Sequence, residues 1–102
     1  MAEGKQKSRR AAIPPEAIEH LCKEILAIGD RDLEVSKNGR FCYVYHGGSP
    51  LCRLEYRGEQ EIWGFAIYKY SSNRYSDDEF GFMSYGRVGE LVGDALTAYH
   101  LR

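Results

Sequence analysis

Arg40-Phe41-Cys42-Tyr43-Val44-Tyr45-His46, Gly47-Gly48-Ser49-Pro50 and Leu51-Cys52-Arg53-Leu54-Glu55-Tyr56 form the stretch that decides the fold. Aromatic and β-branched side chains recur along both flanking runs with the two-residue period of strands, not the longer period of a helix. The Gly-Gly-Ser-Pro segment between them supplies turn chemistry, so the two runs pair as an antiparallel hairpin. Upstream, Leu33 and Val35 alternate with Glu34 and Ser36 and lead into Asn38-Gly39, a two-residue hairpin signal in which both positions accept positive φ. Downstream, Arg57-Gly58-Glu59-Gln60 turns the chain into a fourth run, from Glu61 to Tyr70. These segments give a four-stranded antiparallel meander.

Helical periodicity flanks the meander on both sides. Pro14-Pro15 opens a helix over 15–28, because proline in the first turn forfeits only an N–H that has no partner there. Ile18, Leu21, Cys22, Ile25 and Ile28 define its apolar stripe, and Gly29 stops it. Near the C-terminus, Val88, Leu91, Val92, Ala95, Leu96 and Tyr99 share one face of a helix over about 87–101. Two amphipathic helices on one face of a sheet make a two-layer α+β sandwich in the order helix, four strands, helix. Residues 71–85, with Asp77-Asp78-Glu79 among Phe80, Phe82, Met83 and Tyr85, read as a long loop that packs onto the domain.

Size and charge narrow the classes. A chain of 102 residues is one domain, assigned here to 13–102. Residues 1–12 lack apolar periodicity and read as a disordered basic arm: Lys5, Lys7, Arg9 and Arg10 against Glu3 give it +3, so the remainder carries −4. No run is long and apolar enough for a membrane span, and no apolar signal core is present, so a cytoplasmic protein with no membrane partner is expected. Three cysteines, Cys22, Cys42 and Cys52, without a close pair, argue for reduced thiols rather than a disulfide framework.

Alternation divides the meander into two faces. The Arg53, Glu55 and Arg57 side of the third strand, which also takes Leu51, has to be wet, so Cys52, Leu54 and Tyr56 turn to the helices with Cys42 and Val44 beside them. Phe41, Tyr43 and Tyr45 then stand on the outer face with Arg53 and Arg57. In the fourth strand Trp63, Phe65 and Ile67 oppose Ile62, Gly64, Ala66, Tyr68 and Tyr70. Either set could meet the helices, and Gly64 and Ala66 would allow a closer helix approach.

No catalytic or metal motif emerges. His20, Cys22, Cys42, His46 and Cys52 include no close pair of ligands sharing one helix face, as a zinc site would require. Asp77, Asp78 and Glu79 are consecutive and cannot easily converge on a cation. His46 fits a turn cap, and His100 complements a helix C-terminus. No metal, cofactor or catalytic residue is assigned, and the residues favour a non-enzymatic protein.

The segments Leu51-Cys52-Arg53-Leu54, Trp63-Gly64-Phe65-Ala66-Ile67-Tyr68, Ser71-Ser72 and Tyr75 resemble a small family of uncharacterised bacterial proteins over roughly residues 33–101. The resemblance implies kinship without an assigned reaction, and no functional residue comes from it. From the residues themselves, the expected function is contact. Phe41, Tyr43, Tyr45, Arg53 and Arg57 would bind another protein or a second copy of the chain. The alternative is nucleic acid held on the same face, with Lys5, Lys7, Arg9 and Arg10 of the arm on phosphates.

Overall fold

The computed structural model describes residues 13–77 and 84–101; the basic arm, with Lys5, Lys7, Arg9 and Arg10, and the run from Asp78 to Met83 lie outside them. Helix α1 (Pro15–Ile28) is followed by β1 (Leu33–Asn38), β2 (Phe41–His46), β3 (Ser49–Glu55), β4 (Trp63–Lys69), β5 (Arg74–Ser76), β6 (Tyr85–Gly86) and helix α2 (Val88–Ala98). All pairings are antiparallel in the order β1-β2-β3-β4-β5, with β6 also on β4. The two helices pack on each other, and α2 lies on β3 and β4, which is the expected α+β architecture.

The sheet extends beyond the expected meander. The supposed loop over 71–85 contains β5 and β6, both on the edge of β4 away from β3. Ser76 pairs Ile67 and Tyr85 pairs Gly64, so β5 and β6 occupy adjoining stretches of the same β4 edge. The Phe65 N–H donates to the Ser84 carbonyl at 2.8 Å and keeps the second half of that edge in place.

Each hairpin takes the turn its glycines allow. Asn38 pairs Phe41, so the first turn is Gly39-Arg40, one residue later than Asn38-Gly39. Only Gly39 has positive φ there, at 64°, as in a type II′ turn. Ser49 pairs His46 across Gly47 and Gly48, at φ 58° and 88°, the pattern of a type I′ turn. Val44 pairs Cys52 but Tyr45 pairs Pro50, so Leu51 is an extra residue in β3. This bulge turns the neighbours Leu51 and Cys52 into the core together, whereas plain alternation places Leu51 outside.

The core comprises Ala17, Leu21 and Ile25 of α1, Cys42, Val44, Leu51, Cys52 and Leu54 of the central strands, Trp63, Phe65 and Ile67 of β4, and the apolar face of α2. The α1 stripe is therefore centred on 17, 21 and 25, with Ile18 and Ile28 at its margin and Cys22 exposed. Helix α2 ends in paired hydrogen bonds, His100 N–H to Thr97 and Leu101 N–H to Leu96, with His100 at φ 59° in the position that usually selects glycine. The helices are also joined through one carboxylate: Glu24 accepts the Gly89 N–H at 2.8 Å in the first turn of α2, and its other oxygen lies 2.7 Å from His20. A negative charge there satisfies an N–H that the helix itself leaves open.

Trp63 is fully buried, donates its indole N–H to the Gln60 carbonyl at 2.8 Å and meets the edge of Tyr56 at 5.4 Å. Trp63→Ala is expected to cost about 3–5 kcal/mol in a urea titration, since it removes the largest core side chain and leaves a cavity. Glu24→Ala is expected to cost about 1 kcal/mol, the loss of a charged helix cap, with an unchanged denaturant slope.

Candidate functional site

The register of the central strands builds the outer face. Tyr43, Arg53 and Ala66 lie side by side across β2, β3 and β4, and Phe41, Glu55 and Gly64 form the next row. Tyr68 and Tyr75 are paired across β4 and β5. Trp63, Phe65 and Ile67 occupy the helix side of β4, so Gly64 and Ala66 are turned outward. The small residues thus make no room for a helix; they leave a hollow in the middle of the outer face.

Larger side chains close over that hollow from both sides. Tyr43 and Tyr75, rooted in strands that do not touch, meet edge-on at 5.6 Å, and Ala66 between their strands is only 3% exposed. The Arg57 side chain lies over Gly64, where a Cβ would stand 2.6 Å from its Nε. The rings continue as a string: Phe41 to Tyr43 at 6.1 Å, Tyr75 to Tyr68 at 5.0 Å, Tyr68 to Tyr70 at 4.8 Å and Tyr70 to Tyr99 at 5.7 Å. Aromatic cover therefore runs from the β2 end of the outer face, round the β4 edge, to the end of α2. Edge-on contacts of this kind add about 0.5–1.5 kcal/mol each beyond area burial.

The arginines divide into two environments. Arg40 and Arg57 both reach Glu55, with N–O distances of 3.0 and 3.5 Å. Arg53 is different: its guanidinium carbon lies 4.7 Å from the Phe41 ring centre and 5.2 Å from that of Tyr75. The guanidinium is thus packed against two rings, and among the described residues no carboxylate or carbonyl accepts its N–H groups. A small cleft of about 20 Å³, lined by Arg53, Glu55, Arg57, Gly64, Ala66 and Asp77, opens beside it.

All five expected residues, Phe41, Tyr43, Tyr45, Arg53 and Arg57, are on this face. Tyr45 stands near enough to Tyr75 to raise its pKa. Tyr75, Tyr68, Arg40 and the Gly64–Ala66 floor join the five, and spacing within the hairpin does not single these out. Tyr75 was hidden in the supposed loop, although Arg74-Tyr75-Ser76 repeats the polar–aromatic–polar pattern of a short strand.

The thiol and imidazole residues do not converge. Cys42 and Cys52 are separately buried in the core, with burial pushing the Cys42 thiol up to about 11 and Cys52 higher still. Cys22 is exposed on α1, and His20 pairs with Glu24. His46 bonds Asp30 at 2.9 Å, while Asp30 also accepts the Asp32 N–H at 2.9 Å. Asp30, Asp32 and His46 thereby bring three oxygen and nitrogen donors within 4.8 Å of one another, a grouping that links the exit of α1 to the end of β2. The Asp77-Asp78-Glu79 run lies outside the described residues beyond Asp77.

The chain matches no protein-family model, no curated protein and no solved structure. No helix among the described residues is long and apolar enough to cross a membrane.

Burial pushes the Tyr75 phenol up to about 12, with the neighbouring Tyr45 adding to it and Arg53 opposing it. Tyr75 should therefore ionise above the ordinary tyrosine range in an absorbance titration of the phenolates, and Tyr75→Phe should delete that late component. Its folded pKa is raised above the ordinary value of 10. The stability linked to its neutral form is thus complete below pH 10 and is lost as the pH rises toward 12.

Proposed function

We propose that this protein is a non-enzymatic binding module whose outer sheet face engages another protein or a second copy of the chain. The observation that carries this reading is Arg53, packed against the rings of Phe41 and Tyr75 with no acceptor for its donors among the described residues. A guanidinium fixed in this way has lost rotamer freedom before any partner arrives, so its planar fork meets a carboxylate at a reduced entropic cost. Around it, Tyr43, Tyr45 and Tyr68 provide rigid amphipathic surface of the type that dominates contact energies. Arg40 and Arg57 share Glu55, whereas Arg53 has no carboxylate partner among the described residues and is the charge addressed to the partner.

Nucleic acid on the same face is the second reading, supported by the stacked arginine and the tyrosine string. The face favours it less: Glu55 and Asp77 stand among the arginines, where a phosphate backbone would meet repulsion.

Light scattering across a concentration series should show reversible association, and affinity capture should serve where the partner is a different protein. Arg53→Ala and Tyr43→Ala should each weaken the association at least about tenfold in proteins that remain folded, with Tyr43→Ala also lowering the urea midpoint because it gives up two ring contacts. A monomer at all concentrations that captures no partner, or an association indifferent to both changes, would reject the reading. If binding instead appears on single-stranded nucleic acid and falls steeply with salt, the second reading replaces the first.

A further inference from the structure

A half-open cavity of about 230 Å³ lies at the opposite end of the tyrosine string, between the β2–β3 turn and the end of α2. Its walls include Pro50, Tyr70, Tyr99 and Leu101, together with Ser49 and His46. Both tyrosine hydroxyls are already committed, Tyr70 to the Pro50 carbonyl at 2.6 Å and Tyr99 to the Tyr68 carbonyl. The two rings, edge-on at 5.7 Å, are therefore anchored at both ends, and the cavity is formed before anything enters it.

The imidazole of His46 gives this cavity its polarity. Nε2 lies 2.9 Å from Oδ2 of Asp30, whose Oδ1 accepts the Asp32 N–H. That N–H, and secondarily His46 itself, hold the Asp30 carboxyl below its usual range, so it is ionised and can only accept. Nε2 must then carry the proton, and in the neutral ring Nδ1 is left as an acceptor. His46 Nδ1 has no partner among the described residues, and apart from His46 and the exposed Ser49 the residues lining the cavity are aromatic and aliphatic.

We propose that this cavity binds a compact aromatic hydroxyl compound of the phenol class, its ring against Tyr70, Tyr99 and Pro50 and its O–H donated to His46 Nδ1. The size agrees, because a cavity of roughly 150 Å³ suffices for benzene and the remaining space admits a substituent. The site is separate from the outer face and does not depend on what that face binds.

The test uses phenol and toluene, which share a shape and differ in the donor. Each is titrated into the full chain while the ring resonances of His46, Tyr70 and Tyr99 are followed by NMR. Phenol should move all three in a saturable manner and bind about fivefold or more tightly than toluene, the equivalent of one net hydrogen bond. His46→Phe should remove the preference for phenol. The proposal is overturned if neither probe moves these resonances, or if phenol and toluene bind the parent chain equally, an outcome readable even if His46→Phe does not fold. Retention of the phenol preference in a folded His46→Phe protein overturns it as well.

Discussion

Burial of Trp63, Phe65 and Ile67 beneath the two helices is the constraint on which the rest of the molecule depends. Successive side chains on a strand point in opposite directions, so filling one side of β4 with three large residues commits Gly64, Ala66 and Tyr68 to the other. Because β4 is bonded to β3 on one edge and to β5 and β6 on the other, its register is passed to the whole sheet. The hollow over Gly64 and Ala66, the leaning of Tyr43 and Tyr75 across it and the stacking of Arg53 all follow from that one choice.

The sequence displayed most of this architecture because its strongest signals were local. The helix of α1, the glycine that ends it and the antiparallel strands follow from periodicity and turn chemistry read over a few residues. What it did not display depends on contacts between distant segments. The inward set of β4 was undecided because Trp63-Phe65-Ile67 and Gly64-Ala66-Tyr68 are each chemically suited to a helix, and only the packing of α1 on α2 against this sheet selects the larger set. Leu51 was placed outside because alternation assumes unbroken pairing, while a bulge adds a residue without any change in composition. The first turn was misplaced by one residue because Asn38 tolerates positive φ but pairs with Phe41 instead.

The same distinction governs the candidate site. Phe41, Tyr43, Tyr45, Arg53 and Arg57 could be assembled from one hairpin, where the spacing alone puts them on a shared side. Tyr75 could not, since its position over Arg53 depends on a three-residue strand that sits beyond a four-residue turn and has little pattern of its own. His46 presented the opposite difficulty. It was correctly seen at a turn, but its partner Asp30 is 16 residues earlier, on the far side of β1, and spacing gives no hint that the two meet.

The broken edge of the sheet has a consequence for how copies of this chain can meet. Strand-to-strand growth into a fibre requires two usable edges per molecule, one to receive and one to offer. On one side, β1 presents six residues, yet the outward-turned Glu34 and the nearby Lys37 put charge along it. On the other side, β5 and β6 are separate strands of only three and two residues. Among the described residues, β1 is the one sheet edge longer than three residues. Pairing of β1 with β1 of a second copy would use the same edge on both molecules and so close at two.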